Sequence, residues 1–122
     1  MTERSPERAQ FLADLLVTAI EHSGYGFPEL RGPYVHDGPP ESWHAVIGNR
    51  YGDGDAGNED GVTEWDVTVD TMAHGIGVMR AKRLGGKAFW LADRTNADDG
   101  DFDVLDALAV LECALFGEVV YA

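Results

Sequence analysis

The sequence predicts an α+β domain: an N-terminal helix, an antiparallel hairpin or small three-stranded sheet, then about three helices packed on one sheet face. Three observations carry this. VTEWDVTVD alternates apolar Trp65, Val67 and Val69 with polar Glu64, Asp66, Thr68 and Asp70, the period of a half-buried strand, and SWHAVIGNRYG upstream supplies a partner arm. Near each end of the chain, apolar residues recur at helical spacing. Between the first helix and the hairpin, breakers are too frequent for a long regular element: Gly24, Gly26, Pro28, Gly32, Pro33, Gly38, Pro39 and Pro40.

Ser5 and Pro6 open the first helix as N-cap and first helical residue, where the missing proline N–H costs nothing. Phe11, Leu12, Leu15, Leu16, Ala19 and Ile20 make its apolar stripe, and Ser23-Gly24 supplies its stop. Its outward residues Arg8, Asp14 and Glu21 mix signs, as expected of a scaffold helix. Tyr25, Phe27, Leu30, Tyr34 and Val35 punctuate the Gly/Pro segment, which predicts an ordered cover over the core, with Tyr34–His36 as a short third strand.

In the hairpin, Trp43, Ala45 and Ile47 share the core side with Trp65, Val67 and Val69. Residues of like parity therefore pair, with Ile47 opposite Val67, Arg50 opposite Glu64 and His44 opposite Asp70. Asp70 then caps a helix from Thr71 to about Arg83 with Met72, Ala73, Ile76 and Met79 inward. Gly75 and Gly77 weaken that helix by about 1 kcal/mol each relative to alanine. Arg80, Lys82 and Arg83 favourably oppose the negative end of its dipole. After Gly85-Gly86, residues 87 to about 96 form a short helix, partly burying Phe89, Trp90 and Leu91. The turn ADDGDFD follows, with Asp101 or Asp103 capping a last helix to about Phe116. Leu105, Leu108, Ala109, Leu111, Ala114 and Leu115 give that helix a broad apolar surface; Gly117 ends it, and Val119, Val120 and Tyr121 are placed as an edge strand.

Composition narrows the function classes. A chain of 122 residues makes one domain, 1–122, burying roughly two-thirds of its unfolded surface. Twenty-two acidic against 9 basic residues give a net charge of −13, which repels phosphate backbones and anionic lipid and favours a cationic partner. The simplest account of that charge is solubility. Cys113 is the only cysteine and lies among Leu111, Ala114 and Leu115, so no internal disulfide forms and the thiol reads as a small buried hydrophobe. Neither an apolar leader nor a membrane-spanning run is present, so a cytoplasmic protein without membrane attachment is expected.

Candidate chemistry concentrates in the acidic segments. Asp53, Asp55, Glu59, Asp60, Glu64 and Asp66 hold six carboxylates without a cation. Asp53, Asp55, Glu59 and Glu64 take the first, third, seventh and twelfth places of an EF-hand frame, yet Gly57 replaces the fifth-place ligand and Asn58 the sixth-place glycine, and strands replace the flanking helices. No metal and no cofactor is therefore expected. Asp98, Asp99, Asp101 and Asp103 form a second acidic turn, whose plainest role is helix capping. His22, His36, His44 and His74 lack metal-ligand spacing, no GxSxG elbow occurs, and GVMRAKRLGGK lacks the order of a phosphate loop. A non-catalytic protein is expected.

What remains is charge display. Asp53, Asp55, Glu59, Asp60, Glu64 and Asp66, joined by Asp98, Asp99 and Asp101, would engage a basic protein surface, in the strong form as a nucleic-acid mimic. One strand face offers a carboxylate every roughly 6.7 Å, whereas duplex DNA carries a charge every roughly 1.7 Å, so several elements must contribute. The alternative is a small structural or self-assembling component; monomer and homodimer both fit.

Three segments, ERAQFLADLLVTAIEHSGYG, VTVDTMAHGIGVM and LADRTNADDGDFDVLDALAVLECALFGEVVYA, carry a resemblance across most of the chain. In them the protein resembles uncharacterised small acidic proteins of actinobacteria and their phages and plasmids. That resemblance implies an accessory factor of a phage or mobile element acting on a host or defence protein, and it brings no site residues with it.

Overall fold

The computed structural model describes residues 4–21, 27–49 and 64–122. Helix α1 runs Pro6–Glu21, strand β1 Glu29–Val35, β2 His44–Gly48 and β3 Glu64–Thr68; helices α2 (Val69–Ala81), α3 (Lys87–Thr95) and α4 (Val104–Phe116) follow. The fold is α+β, with an antiparallel sheet in the order β1-β2-β3.

Ser5 caps α1 as expected, its hydroxyl accepting from the Arg8 amide at 3.1 Å. The expected stop at Ser23-Gly24 lies outside the described residues. Phe11, Leu12, Ala13, Leu15, Leu16 and Ala19 drive α1 into the core. They meet Ala45, Ile47 and Val67 of the sheet, Met72, Ile76 and Met79 of α2, Phe89 of α3, and Val110 and Leu111 of α4.

The third strand is longer and earlier than Tyr34–His36. It pairs Glu29 with Gly48 and Val35 with His44, with a register irregularity between Leu30 and Tyr34 that takes up the Gly32-Pro33 break. Pro33, without an N–H, sits in an edge strand at that irregularity, the two places in a sheet where proline is tolerated.

Hairpin parity is as expected but its offset is not. Ile47 faces Trp65, Ala45 faces Val67, His44 faces Thr68 and Gly48 faces Glu64, rather than Ile47 with Val67, His44 with Asp70 and Arg50 with Glu64. A slip of two residues keeps the same side chains inside, so alternation fixes the face and leaves the offset free. Here α2 sets it. The Thr68 hydroxyl accepts from the Thr71 amide, and the Thr71 hydroxyl accepts from the Thr68 amide, a capping box that ends β3 and starts α2 at Val69. Thr68, not Asp70, is therefore the cap, and Val69 is buried as a helical residue. Asp70 accepts from Arg4 at 2.7 Å instead. Trp43 precedes β2, half-buried, and its indole N–H holds the Gly38 carbonyl at 3.1 Å.

Two further expectations fail in α4. Leu105 is 62% exposed, whereas the inward face is Ala107, Val110, Leu111, Glu112 and Cys113. Residues 119–121 form no strand. Their backbone is drawn elsewhere: the Glu112 carboxylate, 1% exposed, accepts at Oε1 from the amides of Val120, Tyr121 and Ala122 at 2.7, 2.7 and 3.2 Å. One carboxyl oxygen thus takes the three successive amide donors that an edge strand would have offered to a ladder. Asp103 caps α4, as the sequence predicts, in a capping box with Asp106.

Candidate functional site

The second acidic turn is built on α3. Asn96, left-handed at φ 54°, ends that helix, and the chain doubles back along its flank. The Asp98 amide donates to the Thr95 carbonyl at 3.1 Å and the Asp101 amide to the Ala88 carbonyl at 3.2 Å. The Thr95 hydroxyl donates to the Asp99 carbonyl at 2.8 Å. Gly100, with φ 77°, passes so close to Ala88, Leu91 and Ala92 that a Cβ would collide with them. Asp98, Asp99, Asp101 and Asp103 thus project outward from a fixed backbone. Among the described residues none of the four forms an ion pair; Asp101 accepts from the Phe102 amide and Asp103 from the Asp106 amide.

The opposite flank of α3 is cationic. Asp93, 7% exposed, holds three helices together: it accepts from Arg8 of α1 at Oδ1 and from Arg80 of α2 at Oδ2, both at 2.7 Å, while Arg8 also reaches the Asp93 carbonyl at 2.7 Å. The Arg80 guanidinium lies 5.2 Å from the Trp90 ring centroid. Arg80, Trp90, Asp93 and Arg94 line an open cleft of about 420 Å³. Charge-assisted bonds to a nearly buried carboxylate make Arg8 and Arg80 structural bolts as much as surface charges.

The hairpin carboxylates are distributed differently. Asp53, Asp55, Glu59 and Asp60 lie outside the described residues. Glu64 is exposed at the start of β3, and Asp66 lies 2.9 Å from His44 Nδ1 across the strand pair. Because Asp70 belongs to α2, the acidic row on β3 stops at Asp66. Trp65 packs on Phe116, at the C-terminal end of α4, with ring centroids 5.8 Å apart. The 98–103 turn leads into the N-terminal end of the same 13-residue helix, about 20 Å away. That is more than twice the screening length of about 8 Å at physiological salt, so the turn and the described hairpin carboxylates act as separate electrostatic features.

Sequence reasoning missed Glu112, Asp93 and the cationic flank. Glu112 stands between Leu111 and Cys113 and Asp93 between Ala92 and Arg94, and their own letters give no sign that long-range partners bury them. The flank was in principle legible, since Arg80, Lys82, Arg83, Lys87 and Arg94 are five of the nine basic residues within one short stretch.

Cys113 is buried, and that burial, followed by the nearby Glu112 charge, pushes its thiol up against a smaller opposing effect of Lys82. Among the described residues no three His, Cys, Asp or Glu side chains converge as metal ligands, and no helix is long and apolar enough to cross a membrane. Comparison with protein-family models, curated proteins and solved structures returns no match to this chain.

Proposed function

We infer that this protein is a non-catalytic acidic binding module that engages a cationic surface on another protein, with the 98–103 turn as the principal contact. The observation that carries this reading is the turn's combination of exposed carboxylates without cationic partners among the described residues and a backbone fixed against α3. Fixed charges lose little entropy on binding, and a net charge of −13 steers positively charged partners toward the molecule. Glu64 and Asp66 form a second, separate contact in this reading, and the hairpin loop carboxylates Asp53, Asp55, Glu59 and Asp60 belong to the proposed binding set as well. The separation of about 20 Å along α4 favours two discrete patches over a continuous nucleic-acid-like charge row. A phage or mobile-element factor directed at a basic host or defence protein is the setting that fits best, supported by the resemblance of the three segments quoted above.

Capture from a lysate of the source cells tests it. Immobilised wild-type protein is expected to retain basic proteins that elute as salt rises toward about 0.5 M, where screening shortens to a few ångströms. D98K/D99K should abolish retention, and reversal of Asp53, Asp55, Glu59 and Asp60 to lysine should weaken it separately. Retention that neither variant reduces, or that salt does not weaken, contradicts the reading.

A further inference from the structure

Helix α3 carries charges of opposite sign on its two flanks. At about 100° per residue, Ala88, Leu91 and Thr95 turn toward the acidic 98–101 segment, which hydrogen-bonds to Ala88 and Thr95 and packs on Leu91. Trp90 and Asp93 turn the other way, toward the C-terminal end of α2. There the Trp90 indole N–H holds the Leu84 carbonyl at 2.8 Å, and Arg80 and Arg94 line one cleft with Trp90 and Asp93. Lys87 and Arg94, seven residues apart and both exposed, share the side of α3 next to Trp90, and with Arg80 they make the cationic stripe that borders Leu91.

We propose that this face self-associates: two copies pair about a two-fold axis running along α3, each copy's acidic turn lying against the other's cationic flank. A two-fold interface must be self-complementary, and side-by-side stripes of opposite charge satisfy that in one orientation only. The axis along the helix exchanges the flanks and sets acid on base twice. An axis across the helix sets acid on acid and base on base.

The face is small and mostly polar, with Trp90 and Leu91 half-buried as its apolar centre, so the pair belongs with weak, transient interfaces. Each copy also carries −13 overall, which gives the association a distinctive salt dependence. At about 0.01 M salt the screening length is about 30 Å and whole-molecule repulsion opposes pairing. At about 0.15 M it falls to about 8 Å, leaving only the touching stripes. At about 1 M, near 3 Å, the stripes are screened too. Dimer content should therefore pass through a maximum at intermediate salt. The proposal goes beyond partner binding and sets the two in competition, because a second copy covers the same turn.

Sedimentation velocity on the purified protein at these three ionic strengths is the test, with K87E/R94E and D98K/D99K as variants. None of those four side chains makes a hydrogen bond or ion pair among the described residues, so the fold is expected to tolerate reversal, and circular dichroism checks that it does. Each variant alone should weaken dimerisation at least about tenfold, and a mixture of the two should restore it by pairing opposite faces. A wild-type protein that stays monomeric at all three salts, a dimer unaffected by 1 M salt, or a mixture of folded variants that stays monomeric overturns the proposal. Failure of the partner-binding reading remains distinguishable: K87E/R94E should lose the dimer yet keep capture of basic proteins, whereas D98K/D99K should lose both.

Discussion

A Cβ added at Gly75 of α2 would run into the carbonyl of Val110 on α4, whereas one added at Gly77 would meet nothing within 4 Å. Both glycines cost α2 the same intrinsic stability, but only Gly75 returns it by letting two helices approach closely. G77A should therefore raise unfolding stability in urea by about 0.5–1 kcal/mol, and G75A should lower it by about 1–3 kcal/mol. Helix propensity made the two positions equivalent in sequence, since the neighbour that separates them lies 35 residues away, at Val110. Asp106 is a second case. Burial pushes its carboxyl up, partly offset by the hydrogen bond from the Asp103 amide. The folded state then holds that proton more tightly than the unfolded chain, so the Asp106 contribution is fullest below the ordinary aspartate range. It is lost as pH rises from that range to the raised value. The stability of D106N relative to wild type should accordingly increase across that interval in paired melts, and a constant difference would contradict the assignment. The raised Cys113 thiol predicts that a thiol-reactive dye labels the protein only when it unfolds.

Elements were legible where their signals are local. The Ser5 cap, the Asp103 cap and Gly117, left-handed at φ 77°, mark helix ends through bonds to residues three or four positions away. Alternation likewise told the inner hairpin face from the outer. What escaped is what depends on distant groups: the two-residue offset of β3 against β2, and the course of 119–122 set by Glu112. Replacing Glu112 with alanine removes the acceptor for three amides and opens space in the core. It should lower stability by about 2–4 kcal/mol and speed amide exchange at Val120 and Tyr121 more than elsewhere. An unchanged exchange rate there would show that the tail is held by other contacts. Asp93 performs the analogous task among α1, α2 and α3. D93A should cost about 1–3 kcal/mol, less than a fully buried pair because Arg8 and Arg80 are partly hydrated.

For the molecule as a whole, the net charge of −13 conceals an arrangement. Charge counting in sequence identified acidity, and the 98–101 turn as one of its sites. It could not show that the turn folds back along α3 with Lys87 and Arg94 beside it, because that placement rests on contacts made by Gly100, Asp101 and Thr95. The same counting left open whether the hairpin and turn carboxylates share a face; Trp65 of β3 packs at the C-terminal end of α4, whereas the turn leads into its N-terminal end. On the proposed reading the net charge steers the encounter and local patches hold the bound partner, since screening at physiological salt weakens interactions beyond about 8 Å. The most direct measurement is amide chemical-shift mapping of the labelled protein titrated with a captured basic partner. The account predicts that the largest shifts fall on residues 97–103 and shrink as salt is raised. Shifts confined to the outer face of β1 and β2, and unchanged by salt, would contradict it.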